Sequence, residues 1–203
     1  MKTLLLLNKL LGIAKSYFSF YDLQKFYVGT TNNLKVAVHR LVKQKRLCRL
    51  LNGYYTLNLT NVDWEQLACE IRRPSYISLE YALHYYNIID QIPHCLTLIT
   101  TKKGRQYNLP QQTLEYSHIT SSFYFGYKIQ GNMLIAEKEK ALVDWFYFNT
   151  SRLEATETFW EQSRLEAGAT NIDFKKVFRY AKLFESKKLI FLLHSFHSYA
   201  KSH

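Results

Sequence analysis

Residues 30–57 have the sequence TTNNLKVAVHRLVKQKRLCRLLNGYYTL, and this stretch decides the fold of the N-terminal part of the chain. Its second half has two β-rich runs, residues 46–51 and 54–59, joined by Asn52-Gly53. Asn-Gly between such runs predicts a hairpin with a type I′ turn. Its first half predicts a helix, because apolar residues recur there at intervals of three and four: Leu34, Ala37, Val38, Leu41 and Val42.

The other face of this predicted helix is basic and polar. Lys35, His39 and Lys43 lie one turn apart on it. Either Asn32 or Asn33 is expected to cap the first turn, because asparagine is a favoured cap residue. A basic, solvent-facing helix followed by a hairpin is suited to contact with duplex DNA.

Two further helices are predicted upstream. Residues 1–15 have leucines on nearly every side of a helix, and residues 21–27 form a short second helix before the Gly29-Thr30 turn. Three helices followed by a hairpin is the order of a winged helix-turn-helix domain. We therefore expect such a DNA-binding domain at residues 1–60.

Composition favours an acidic partner and an intracellular location. The net charge of +11 and the pI near 9.5 attract phosphate backbones, but they do not indicate a sequence preference. The leucine run at residues 4–7 is interrupted by Asn8 and Lys9, so a signal peptide is not expected, and no other apolar run is long enough to cross a bilayer. We expect a cytoplasmic protein without membrane contact.

Cysteine usage argues against disulfides and zinc. Cys48, Cys69 and Cys95 are odd in number, widely separated and without CxxC spacing. They are expected to be reduced and mostly buried thiols.

After a boundary near residues 59–63, the pattern is α+β. Residues 64–71 predict a helix, and residues 75–78 are a start signal for the next helix, which ends near Asn87. Four strands of a mixed or antiparallel sheet are predicted at residues 95–101, 114–119, 123–130 and 133–135. Helices are predicted at residues 136–149, 158–166, 174–185 and 187–199. The fold class expected is an N-terminal winged helix, a mixed α/β domain at residues 61–150, and a helical extension at residues 151–203 packed on that domain.

Five segments of the chain resemble AbiEi-type antitoxins, which are regulators of type IV toxin–antitoxin and abortive-infection systems. They occur in the family's order and spacing: RPSYISLEYALHYYNII (73–89), LTLITTKKGRQY (96–107), LEYSHI (114–119), FYFGY (123–127) and MLIAEKEKALVDWFYF (133–148). The most specific pieces are residues 74–78 and 136–142. The resemblance spans roughly residues 4–148, including an N-terminal winged helix of the expected kind.

The resemblance implies a DNA-binding transcriptional autorepressor that acts as an antitoxin in phage defence. Its DNA partner would be an operator inverted repeat upstream of its own operon, bound by a dimer or by two monomers. Its functional partner would be a nucleotidyltransferase-like toxin, with or without direct contact. No enzymatic activity and no cofactor are implied.

The expected DNA contacts lie on the third helix and the hairpin: Thr31, Asn32, Lys35, His39, Arg40, Lys43, Arg49 and Asn52. The alternative for the helix residues is a solvated face, and for Arg49 and Asn52 it is an ordinary hairpin tip. A second basic loop contains Lys102, Lys103 and Arg105 around Gly104. It would either contact nucleic acid or keep a strand edge soluble.

No catalytic residue and no metal site are predicted. The serines at residues 75–80 lack a histidine partner, so they are expected to cap a helix. Glu137 and Glu139 lie two residues apart and face different sides of a helix, so with Asp144 they suit capping and pairing with Lys138 and Lys140. Among the histidines, His194 and His197 are three residues apart, but a metal would need a third ligand.

An alternative function is an interaction module. In that case the aromatic, basic C-terminal half would bind the toxin or an RNA, and the winged helix would be a scaffold. A nuclease is a third hypothesis, which rests only on scattered acidic residues.

Overall fold

A computed structural model of the chain describes residues 2–163, 165 and 171–202. The fold is α+β with a helical C-terminal tail. The chain divides into two compact units: Met1–Leu67 with Asn108–Gln112, and Ala68–Tyr107 with Thr113–His203. Among the described residues, no helix has the length and apolar character needed to cross a membrane.

The first unit is built from helices and a small antiparallel sheet. Its elements in chain order are α1 (Lys2–Leu11), β1 (Phe18–Ser19), α2 (Phe20–Phe26), α3 (Thr31–Lys43), β2 (Cys48–Leu51) and β3 (Tyr54–Thr56). The sheet has the order β1-β3-β2. The predicted apolar face of α3 is confirmed, because Leu34, Val38 and Leu41 are buried. They share one core with residues of α1, β1 and α2: Leu6, Leu10, Phe18 and Leu23.

Hydroxyl side chains cap the N-termini of α2 and α3. Ser19 and Asp22 form a capping box at α2, in which each side chain accepts a hydrogen bond from the other residue's backbone N–H. At α3 the cap is Thr30, whose Oγ1 accepts from the Asn33 backbone N–H at 3.3 Å. The prediction of an asparagine cap was wrong, because the helix begins at Thr31 and both asparagines already lie in its first turn.

The hairpin between β2 and β3 is present, but its turn is not type I′. That turn needs a left-handed backbone at both central residues, and only Gly53, at φ +86°, has a positive φ. The pairing register also shifts between Arg49 and Leu51, which indicates a bulge. The backbone N–H of Phe20 donates to the Gly53 carbonyl at 2.7 Å, so the turn is anchored to the start of α2.

The second unit is organised around a mixed sheet. Helix α4 (Trp64–Ile71) spans the division after Leu67. The elements that follow are β4 (Ser75–Ile77), α5 (Leu79–Tyr85), β5 (Leu96–Thr100), β6 (Arg105–Asn108), β7 (Thr113–His118), β8 (Tyr127–Gln130), β9 (Met133–Ala136), α6 (Lys138–Asn149), α7 (Glu157–Gln162), α8 (Phe174–Lys182) and α9 (Lys187–Ser202). The strand order is β6-β7-β5-β4-β9-β8. Strand β4 is parallel to β9 and β5 is parallel to β7, whereas β4–β5 and β8–β9 are antiparallel, so of the two predicted alternatives, mixed or antiparallel, the sheet is mixed.

A central strand of this sheet was missed from sequence. Residues 75–78 were interpreted as the start of a helix, whereas Ser75–Ile77 form β4, which is fully buried between β5 and β9. The strand has only three residues, too few for a period-2 pattern to be recognised. The predicted strand at residues 123–130 is shorter than expected, because a 3₁₀ turn occupies Ser121–Phe123 and Gly126 has φ +71°.

The helical tail belongs to the second unit. Helices α8 and α9 pack on α6 and on each other. Aromatic rings join three of the helices, with the Phe146 ring centroid 5.6 Å from that of Trp160 and 5.5 Å from that of Phe196. The predicted helix at residues 158–166 is observed at Glu157–Gln162, and its residues 164 and 166 lie outside the described part of the chain.

A buried ion pair lies between α6 and β4. The ammonium group of Lys140 donates to Asp144, one turn later on α6, and to the Tyr76 hydroxyl at 3.0 Å. The hydroxyls of Tyr76 and Ser78 donate to the other Asp144 oxygen at 3.0 and 2.9 Å. Burial lowers the pKa of Lys140 and raises that of Asp144, whereas their mutual attraction opposes both shifts. Both carboxylate oxygens of Asp144, the two hydroxyls and the Lys140 ammonium group therefore all have hydrogen-bond partners.

Breaking the pair on one side should destabilise the protein more than replacing both partners. For Asp144→Ala we expect a loss of about 3–5 kcal/mol in the free energy of unfolding, because Lys140 keeps a buried charge without a carboxylate. The double variant Lys140→Met/Asp144→Leu should be closer to the wild type. Arg73→Ala, which removes the exposed pair with Glu70, is the control and should cost less than about 1 kcal/mol. Urea denaturation measures all three, and a double variant as unstable as Asp144→Ala would contradict this account.

Candidate nucleic-acid interface

The outward face of α3 presents polar and basic side chains to solvent. Lys35, His39 and Lys43 are all exposed and lie one turn apart, as predicted. Thr31 and Asn32, in the first turn, are exposed as well. The Thr31 hydroxyl accepts a hydrogen bond from the Gln24 side chain at 3.2 Å, which links the start of α3 to α2.

The structure brings part of this face together with the hairpin. A shallow groove of about 200 Å³ lies between α3 and the hairpin, and Lys35, His39 and Arg49 contribute its polar lining. Its apolar floor contains Phe20, Val38, Val42 and Tyr55. The Arg49 guanidinium donates to the Asn52 side-chain oxygen at 2.9 Å, so these two predicted hairpin contacts are held as one group.

Arg40 is separate from that groove. It lines a different depression, together with residues of α1 and with Gln44 and Arg46 after α3. On a helix wheel Arg40 lies about 140° from Lys35, because five residues separate them at about 100° each. The predicted DNA contacts therefore fall on two flanks of α3.

The charge of this region is not compensated locally. Residues 23–62 contain seven Lys or Arg and no Asp or Glu. Within the described part of the chain, no acidic side chain forms an ion pair with Lys35, Arg40 or Lys43. The surface of α3 therefore carries a net positive field, which favours contact with phosphates.

The second basic loop lies in the other unit and is tethered by its backbone. The Lys103 carbonyl accepts from the Arg72 guanidinium, and the Lys102 carbonyl lies 3.1 Å from Nδ1 of His118. Arg105 begins β6, an edge strand, and its guanidinium lies 4.9 Å from the Tyr107 ring centroid. The side chains of Lys102, Lys103 and Arg105 are exposed, which is compatible with both interpretations of this loop.

Ser78 is placed differently from the cap that was expected. It stands at the N-cap position of α5 but makes no side-chain cap, because its hydroxyl donates to Asp144 instead. The Ser75 hydroxyl is buried and finds no hydrogen-bond partner among the described residues. Among the described residues, neither serine forms a hydrogen bond with a histidine.

The acidic residues of α6 also pair differently from expectation. Glu137 precedes the helix, and its carboxylate and that of Glu139 both accept from Lys176 on α8, at 3.0 and 3.2 Å. The predicted pairing with Lys138 and Lys140 is wrong for Glu137 and Glu139, but it is confirmed for Asp144, which pairs with Lys140. The prediction assumed that Glu137 and Glu139 point to different sides of one helix, but Glu137 lies before the first residue of α6. The Tyr180 hydroxyl donates to Glu137 at 2.5 Å, and although burial opposes the shift, this bond and Lys176 lower the pKa of Glu137.

The described thiols lie at separate places and differ in burial. Cys69 is buried, but Cys48 and Cys95 are only half-buried, so the prediction of mostly buried thiols was too strong. Burial and the Glu115 carboxylate raise the pKa of Cys95 to about 11, which keeps the thiol protonated at neutral pH. Cys95 lines an open cavity of about 520 Å³ with Glu80 and Glu115, which the sequence did not predict. In the described part of the chain, no group of three or more His, Cys, Asp or Glu is arranged to hold a metal ion.

Comparisons with known proteins identify no family. No model of a known protein family matches the chain, and no curated protein matches it either. Function is therefore inferred from the surfaces described above and from the motifs at residues 73–89 and 133–148.

Proposed function

We propose that the chain is a DNA-binding transcriptional autorepressor and the antitoxin of an AbiE-like type IV toxin–antitoxin system. The observation that carries the proposal is the convergence of Lys35 and His39 on α3 with Arg49 on the hairpin, around one groove. The surplus of positive charge at residues 23–62 supports it. The resemblance of residues 73–89 and 133–148 to AbiEi-type antitoxins supports the assignment to a toxin–antitoxin system.

The first unit acts in this proposal as a winged helix. Its helices and hairpin follow in the order of such domains, and β1 completes a sheet with the hairpin by pairing with β3. Helix α3 would enter the major groove, whose width of about 12 Å admits one helix with its side chains. Arg49 and Asn52 would then contact the adjacent backbone or minor groove.

The exposed residues of α3 divide into two roles. Lys35, Arg40 and Lys43 would bind phosphates, because lysine and arginine supply the charge that positions a protein on DNA. Asn32 and His39 would contact base edges, since an asparagine side chain matches adenine in the major groove. The functional partner would be a nucleotidyltransferase-like toxin in the cytoplasm, and the regulator itself would have no enzymatic activity.

The first test is binding to the DNA upstream of the chain's own reading frame. We expect a gel shift with this DNA at moderate salt and a much weaker one with scrambled DNA of equal length. Lys35→Ala and Lys43→Ala should each reduce the slope of log K against log salt by about 1, because each removes one phosphate contact. Lys2→Ala, at an exposed position of α1, is the charge-matched control and should leave the slope unchanged. Equal affinity for both DNAs would refute the operator assignment.

The second test separates base reading from phosphate binding. Asn32→Ala should lower the preference for operator over scrambled DNA, by about 1–3 kcal/mol if its contacts are bidentate. Lys43→Ala should weaken binding to both DNAs to a similar extent. Competition titrations with the two DNAs measure the ratio. If Asn32→Ala preserves the ratio, Asn32 does not read a base.

A further inference from the structure

The positive charge of the chain is concentrated in two segments. Residues 23–62 have a net charge of +7, whereas residues 174–203 contain seven Lys or Arg and one acid, Glu185. The rest of the chain has 13 Lys or Arg and 15 Asp or Glu, so it is slightly acidic. The proposed operator contacts use only the first segment. The second segment forms α8 and α9, in the other unit.

The cations of α8 differ by the side of the helix on which they lie. Lys176 faces α6 and pairs with Glu137 and Glu139. Lys175, Arg179 and Lys182 are exposed and recur at spacings of four and three residues, so they form one outward stripe. No acid in the described residues forms an ion pair with any of the three. In the described part of the chain, their charge is therefore not neutralised by a carboxylate.

The start of α9 extends this basic surface. Lys187 and Lys188 are exposed in its first turn, where the helix macrodipole disfavours positive charge. They therefore do not stabilise the helix through its dipole. One turn after Lys187, the side chain of Phe191 is 63 % exposed. A phenylalanine this exposed beside lysines offers a free aromatic face to a partner.

Stacked rings connect the two helices at this surface. The ring centroids of Phe178 on α8 and His194 on α9 are 4.2 Å apart and the rings are nearly parallel. Lys175 and Lys182 lie one turn before and one turn after Phe178, and Phe191 lies one turn before His194. The basic stripe and the exposed phenylalanine therefore flank one joined pair of rings.

We propose that this outer α8–α9 surface, defined by Lys175, Arg179, Lys182, Lys187 and Phe191, binds single-stranded nucleic acid. The cations bind successive phosphates, and Phe191 stacks on an unpaired base. An unpaired base is required, because the bases of a duplex are already stacked on each other and do not offer a face to a side chain. This activity is separate from operator binding and does not depend on α3.

Fluorescence anisotropy on the full chain tests the proposal with a uridine oligonucleotide, a thymidine oligonucleotide and a duplex of equal length. We expect the full chain to bind at least one single strand. The triple variant Lys175→Ala/Arg179→Ala/Lys182→Ala should reduce the salt slope by about 2, because each contact with a single strand contributes about 0.7. Phe191→Ala should weaken single-strand binding roughly fivefold or more without changing duplex binding. Phe191→Tyr keeps an aromatic face and should retain wild-type affinity.

The control variant Lys35→Ala/Lys43→Ala separates this proposal from the proposed operator binding. It should weaken duplex binding and leave single-strand binding unchanged. Failure of the full chain to bind either oligonucleotide, or an unchanged affinity for Phe191→Ala, would overturn the single-strand proposal and leave operator binding intact. Binding to anionic lipid vesicles that is lost in the same variants, without oligonucleotide binding, would instead identify a membrane surface and also overturn it. Circular dichroism checks that the variants remain folded.

Discussion

The second unit depends on keeping the buried charge of Lys140 compensated. An unpaired buried ammonium group costs several kcal/mol, so a carboxylate and further hydrogen bonds must reach it. Asp144 supplies the carboxylate from the same helix, and Tyr76 and Ser78 supply hydroxyls from β4 and its end. A shift of β4 by one residue would turn these side chains to the other face of the sheet. Gly126 packs closely against the Lys140 side chain, because a Cβ at position 126 would lie only 3.0 Å from Lys140 Cγ. The network around Lys140 therefore fixes the relative positions of α6, β4 and the turn at Gly126.

This interaction also joins two of the segments on which the proposed AbiEi-type assignment rests. Tyr76 and Ser78 belong to the motif at residues 73–89, and Lys140 and Asp144 belong to the motif at residues 133–148. The two motifs, far apart in sequence, meet in one hydrogen-bonded network. The most specific segments behind the proposed AbiEi-type assignment therefore lie in the second unit. These segments do not include the surface of α3, so the ability to bind an operator must be judged from the residues of the first unit.

Sequence reasoning succeeded where the physical signal is local. The apolar spacing of α3 lies within a single helix, and the buried residues are those that the spacing indicated. It failed where the partner is distant in sequence. Ser78 has the position of a cap, but its hydroxyl donates to Asp144, 66 residues away. Glu137 pairs with Lys176 rather than with its neighbours, because α8 packs on α6. The exposure of Phe191 was equally unpredictable, since an aromatic residue at helical spacing is more often part of the core.

The cations of this protein differ in what compensates them, and that difference separates the structural ion pairs from the surfaces that we propose for binding. Lys140 and Lys176 are paired with carboxylates and hold elements of the second unit together. Two groups of cations that form no ion pair in the described residues instead lie on surfaces of different chemistry. The outward face of α3 combines its charge with polar side chains and carries no Phe, Tyr or Trp, which suits hydrogen bonding to the base edges of a duplex. The outer α8–α9 surface combines its charge with an exposed ring, which suits stacking on an unpaired base. Charge that served only to attract nucleic acid in general would not need to be concentrated in two segments of the chain. Nor would each of these segments need to combine its charge with a distinct kind of side chain.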